Sequence, residues 1–90
     1  MGKGIYLEMT YRQGKAMAGY LYLPRQRGDH AARSQKVDRG LVVDFAQDGR
    51  PIGIEIVSPS TATPAAINSR LRQLHQDPLP EEDLAPLAAK

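Results

Sequence analysis

Two carboxylates offer the first chemistry in this chain. Asp44 lies in the run Leu41-Val42-Val43-Asp44-Phe45, and Glu55 in Ile52-Gly53-Ile54-Glu55-Ile56. If these runs pair as a hairpin about Asp48-Gly49, Asp44 stands across from Gly53 and Glu55 across from Val42. The two acids are then diagonal neighbours, about 7–8 Å apart at Cα. Carboxylates at that spacing can share a proton, bind a divalent cation, or divide acid and base roles. The blander reading, which the sequence favours, makes them sheet-surface charges matched to Arg or Lys, or anchors for loops. A metal centre needs further ligands, and the only histidines are His30, in a polar loop, and His75, near the end of a helix. Ser58, His75 and Asp44 supply the residue types of a nucleophilic triad, but no Gly-x-Ser-x-Gly motif presents the serine. There is no phosphate-cradling or dinucleotide fingerprint; Gly49 and Gly53 belong to the hairpin. The sequence therefore predicts no catalytic residue, no metal site and no cofactor. Asp44 and Glu55 are its candidate polar site, and a small metal-dependent enzyme built on them is the alternative from another class.

Two further groups point to binding. Arg25, Arg27, Arg33, Lys36 and Arg39 cluster with His30 among them, a composition able to hold phosphates or another anion. No aromatic residue interleaves these charges, so a solvated loop is the favoured reading and nucleic-acid binding through residues 25–39 a lesser alternative. Tyr6, Tyr11, Tyr20 and Tyr22 concentrate in the first quarter of the chain. Tyrosine pairs a large apolar body with a polar tip and is favoured at interfaces, so Tyr20, Leu21 and Tyr22 are the candidate interface.

The elements that must position these residues follow from periodicity. Residues 5–12 alternate, with Ile5, Leu7, Met9 and Tyr11 on one side, which predicts a half-buried strand. Gln13-Gly14-Lys15 reads as a turn. Residues 16–23 form a second strand, apolar or aromatic on both faces, of the kind usually covered on both sides. Residues 24–34 read as a long polar loop and 35–39 as a short strand. Asp48-Gly49 between two alternating runs predicts a hairpin with a type I′ turn. In that register Phe45 faces Ile52, Val43 faces Ile54, Leu41 faces Ile56, and Pro51 lies opposite Ala46. Thr63-Pro64 reads as N-cap and first helical residue, and Ile67, Leu71 and Leu74 form one stripe of a helix over 64–76 that Pro78 ends. Leu84 and Leu87 follow an acidic stretch and suggest a second, short helix. The expected fold is α+β: a small antiparallel sheet of two hairpins, four to five strands, with a C-terminal helix packed on one face. Residues 1–60 supply the sheet, and 61–90 the helix and tail of the same single domain.

Composition sets the outer bounds. Ninety residues suffice for one domain with one core. The chain has no cysteine and a formal net charge of +2. That excludes disulfides and thiolate chemistry, and the charge is too small to mark a nucleic-acid protein. No apolar run approaches the ~20 residues needed to span a bilayer, and the start, Met1-Gly2-Lys3-Gly4, lacks the apolar stretch of a secretory signal. The expectation is a cytoplasmic protein with no membrane association.

The stretch from Arg39-Gly40-Leu41-Val42-Val43-Asp44-Phe45 through Asp48-Gly49 to Gly53-Ile54-Glu55-Ile56 resembles the YuzE-like family, a small domain of unknown function in bacteria and archaea. Ser58 and Ser60 stand where that family has serine, and Tyr11 with Ala18-Gly19-Tyr20-Leu21-Tyr22-Leu23 fits its N-terminal half. The resemblance covers roughly residues 5–60. It departs at Arg12, Lys15 and Met17, where acids are usual, and in the expanded loop at 24–34. It implies a small antiparallel sheet with a helix and no established activity. Some members lie beside predicted toxin genes, which implies an antitoxin-like or partner-binding role. The residues and the resemblance together predict a non-enzymatic protein-interaction module. It is expected to associate with itself as a homodimer and to take a protein partner such as a toxin. The acidic tail is expected to lie against the basic residues near 25–39 of the same or the other chain.

Overall fold

A computed structural model describes residues 4–59 and 62–88. Five strands run in chain order: β1 (Tyr6–Arg12), β2 (Lys15–Tyr22), β3 (Arg33–Asp38), β4 (Leu41–Phe45) and β5 (Pro51–Ile56). They form one antiparallel sheet in the order β1-β2-β5-β4-β3. Helix α1 spans Pro64–Gln73; a 3-10 turn at Glu81–Leu84 leads into the single-turn helix α2, Ala85–Ala88.

Side-chain alternation divides the sheet into two faces. Leu21, Leu41, Val43, Ile54 and Ile56 point to the core face, where they meet Ile67 and Leu71 of α1 and Leu84 and Leu87 beyond it. The other face carries Tyr6 and Glu8 of β1, Tyr20 and Tyr22 of β2, Gly53 and Glu55 of β5, Asp44 of β4 and Ser34 of β3, aligned by the strand register.

This architecture corrects the expected fold class. The molecule is mostly a five-stranded sheet, and what lies against it is not one packed C-terminal helix. The helix is short because its end is built in at Leu74. Gln76 N–H donates to Leu71 O (2.8 Å) and His75 N–H to Arg72 O (3.0 Å), with His75 at φ 62°. This is the Schellman arrangement, in which a left-handed residue just past the helix satisfies the last carbonyls. A helix to residue 76 needed that residue to be helical. The N-terminus is as expected: Thr63 Oγ1 accepts from Ala66 N–H at 3.1 Å, with Pro64 first in the helix. The chain then turns back because Asn68 grips Leu79 at both backbone polar groups, 3.0 and 2.8 Å. The tail therefore packs beside β1 and α1. β1 is the sheet edge opposite β3, so within one chain the acidic stretch lies on the side away from Arg33, Lys36 and Arg39.

The first turn falls within the expected residues, and the second differs from expectation in kind. The first hairpin has Gln13 at φ 54° and Gly14 at φ 80° between the paired Arg12 and Lys15, a two-residue turn with two left-handed residues. In the second, Gly49 N–H donates to Ala46 O (2.9 Å) and Ala46 N–H to Arg50 O (2.8 Å), and Gly49 alone is left-handed, at φ 94°. That is a three-residue loop, an ordinary turn closed by one left-handed glycine. The extra loop residue shifts the tip: Phe45 pairs with Pro51, not Ile52, and Pro51 no longer faces Ala46. An irregularity between Asp44 and Phe45 restores the register, so Val43 faces Ile54 and Leu41 faces Ile56. Phe45 is only half-buried as a result, with the Arg33 guanidinium 4.2 Å over its ring. The loop at 24–34 is shorter than expected, since β3 begins at Arg33. It is tied down by Asp29, which takes both ends of the Arg50 fork (2.7 and 3.2 Å) and the Gln26 N–H (2.8 Å).

Candidate functional site

The polar residues of the open face converge on Asp44. Its carboxylate is almost fully buried, at 4% exposure. The Ser34 hydroxyl donates to Oδ1 at 2.6 Å, and the Tyr20 hydroxyl to Oδ2 at 2.8 Å. Strand register explains the convergence: Ser34 is directly opposite Asp44 on β3, Gly53 directly opposite on β5, and Tyr22 opposite Gly53 on β2. Tyr20 reaches across β5 because Gly53 has no side chain. A Cβ built there would sit 1.9 Å from the Tyr20 hydroxyl oxygen and 2.3 Å from Cζ. Glycine inside a strand often marks such a close approach.

Glu55, opposite Tyr20 on β5, completes the cluster. Its hydrogen bond to Asp44 pushes its carboxyl above the usual range, with burial and the Asp44 charge adding to the effect. A raised value means that the stabilisation is full below the ordinary carboxylate range and is lost as pH rises through the raised one.

Beyond Tyr20 the network reaches solvent through Arg25. Its Nη2 donates to the Tyr20 hydroxyl at 3.1 Å, its Nε to Ile52 O at 3.2 Å, and its guanidinium lies 5.2 Å from the Tyr22 ring centroid. Tyr22 stacks on Tyr6 (4.5 Å between centroids, 15° between planes), meets Tyr20 edge-on at 4.7 Å, and donates to Glu8 Oε1 at 2.9 Å. Burial, together with the bond and charge of Asp44, outweighs Arg25 and pushes the Tyr20 hydroxyl up to about 12. A Tyr that keeps its proton contributes stability fully present below the ordinary phenol value near 10 and lost as pH rises toward 12. In an ultraviolet titration Tyr20 should ionise last, and Tyr20→Phe should remove that final phase. Simultaneous ionisation of all four tyrosines in the folded protein would contradict the network.

The structure thus brings Asp44 and Glu55 together with Gly53, as the hairpin register predicts, and adds Ser34, Tyr20 and Arg25, which no local pattern joins to them. The signal available in the sequence is Gly53, since a glycine between Ile52 and Ile54 is more than the hairpin alone requires. The candidate interface is divided: Tyr20 and Tyr22 lie on the open face, but Leu21 points to the core with no exposed surface, because neighbouring strand residues face opposite ways. The candidate anion cluster is also divided. Arg25 is engaged with Tyr20 and Ile52, and Arg33 with Phe45 and with Gln35 (3.3 Å). Lys36 is exposed on β3, Arg27 is in the loop, and Arg39 is at the far end of β3, roughly 20 Å along the strand from Arg33 at 3.3 Å per residue. His30 lies in the loop against Gly28 O, and His75 at the helix end, both apart from the cluster. Among the described residues no three His, Cys, Asp or Glu side chains come together as a ligand set, and no helix is long and apolar enough to cross a membrane. Ser60 lies outside the described residues.

Chemically, the cluster is a buried carboxylate, Asp44, held by the Ser34 and Tyr20 hydroxyls, with the Glu55 carboxyl beside it raised above its ordinary value by Asp44 and by burial. It holds β2, β3, β4 and β5 together on the side where no second layer covers them. A family model described as a protein of unknown function (DUF2283) matches residues 18–60. The matched segment, from β2 to just past β5, is similar to a small domain of unknown function and contains the whole Asp44 cluster. No curated protein and no solved structure matches the chain.

Proposed function

We propose that the chain is a non-enzymatic protein-interaction module that works as a homodimer, with the open sheet face contributing to the contact. The observation that carries this reading is the aromatic surface on that face: Tyr6, 59% exposed, stacked on Tyr22, with Arg25 beside them. Tyrosine and arginine are the side chains that most often anchor interfaces, and here they are pre-ordered by ring contacts and by bonds to Glu8 and Tyr20. Pre-ordering lowers the entropy lost when a partner docks. The occupant we assign is a second copy of the chain, since an outer strand of the sheet lies at the margin of this surface. A cytoplasmic location and the YuzE-like assignment accompany the reading, and an antitoxin-like role is what that family resemblance would add.

The test is a double substitution at rings that do not touch Asp44. Tyr6→Lys with Tyr22→Ala should leave the fold's melting transition cooperative while weakening self-association by tenfold or more in sedimentation equilibrium. An unchanged association constant would overturn the assignment of this face.

A further inference from the structure

The two outer strands of the sheet are chemically unlike. β3 presents Arg33, Ser34, Gln35, Lys36 and Asp38, the charged kind of edge that proteins use to prevent strand pairing. β1, Tyr6-Leu7-Glu8-Met9-Thr10-Tyr11-Arg12, instead offers a full-length strand with a self-complementary pattern. We infer that β1 pairs antiparallel with β1 of a second copy, about a two-fold axis at Met9, to join the two sheets into one; this deepens the homodimer reading above and rests on it.

The register is set by what it brings together. Centring on Met9 uses all seven residues of β1, whereas any shift leaves residues unpaired. On the open face it sets Tyr6 against the partner's Arg12, an aromatic face against a guanidinium. It also places Glu8 opposite the partner's Thr10, diagonal on one side to the partner's Arg12 and on the other to the partner's Glu8, so two opposite-charge pairs outweigh one like-charge pair across the axis. On the core face it sets Leu7 against the partner's Tyr11. Tyr11 is 53% exposed in the single chain. Beside Leu7 lies a cleft of about 270 Å³ lined also by Ile5, Leu79, Asp83 and Pro86. The partner's Tyr11 lands at the mouth of that cleft, which gives the exposed ring an apolar seat. The open-face aromatic row then runs on through Tyr20, Tyr22 and Tyr6 to the partner's Arg12, continuous with the surface assigned above.

The axis gives a direct test, because Met9 faces its own copy and the chain has no cysteine. Directly opposed residues of antiparallel strands have Cα atoms about 4.5–5.5 Å apart, within the range of a disulfide. Under mild oxidation Met9→Cys should form a covalent dimer, while Gln35→Cys on β3 should stay unlinked. As a second measurement that does not disturb the Met9 seat over Gly19, Arg12→Glu should weaken association by tenfold or more, and Glu8→Arg with Arg12→Glu should restore it. A dimer by sedimentation that neither links through Met9→Cys nor responds to Arg12→Glu would overturn the β1 edge and leave the homodimer reading standing. A monomeric wild-type protein at high micromolar concentration would overturn both.

Discussion

Gly53→Ala should destabilise the domain by about 3 kcal/mol or more, a larger loss than a single methyl group suggests. The added Cβ cannot coexist with Tyr20, whose hydroxyl oxygen lies 1.9 Å from its position. Tyr20 must leave, and its bonds to Asp44 and Arg25 go with it. Overpacking alone costs roughly 1–3 kcal/mol, and a buried acceptor left short of a donor costs roughly 1–3 more. The backbone at Gly53 is ordinary strand, so no conformational strain enters; the effect belongs to Tyr20. A double-mutant cycle separates the causes. In a Tyr20→Ala background, Gly53→Ala should cost under about 1 kcal/mol, since the ring it strikes is gone and overpacking no longer applies. Denaturant unfolding of the four proteins decides the matter, and full additivity would show that the close approach is not the reason for glycine.

Ile54→Ala should cost about 3–5 kcal/mol, the upper part of the range for large core truncations. Ile54 has no exposed surface and sits in the central strand, opposite Leu21 on one side and Val43 on the other. A domain of this size has only about 5–15 kcal/mol in total, so the variant should melt far below the wild type. Phe45→Ala is the informative contrast. Its ring packs on the margin of the core with Arg33 on its other face, so the expected loss is about 1–2 kcal/mol, near a typical single substitution. A larger loss at Phe45 than at Ile54 would mean that the hairpin tip, not the sheet centre, dominates the core.

That contrast also shows what the sequence could and could not disclose. Alternation placed Leu41, Val43, Ile54 and Ile56 on one face because burying that face forbids a one-residue slip. It could not place Phe45, because the turn type depends on whether Asp48 is left-handed as well as Gly49, and propensity leaves both forms open. The consequence is one extra loop residue and a bulge, which move Phe45 from Ile52 to Pro51. The helix end at His75 escaped for a similar reason: a histidine stands where glycine is the usual signal. Asp44 and Glu55 were legible as a pair because both belong to one local hairpin. Their partners Ser34 and Tyr20 come from strands that adjoin it only through the sheet order, and no local pattern encodes that order. The arginine cluster shows the converse, since neighbours in sequence are spread along a strand that carries Arg33 and Arg39 to opposite ends.

A polar cluster closes the sheet, an aromatic surface lies open beside it, and the outer strand is complementary to itself. Together they are the grounds for proposing that the chain works as a homodimer. Sedimentation equilibrium of the wild-type protein at micromolar concentration tests this most directly. The expected species has twice the 9.9 kDa chain mass and dissociates on Arg12→Glu. A single species at 9.9 kDa, unchanged by further concentration, would contradict it.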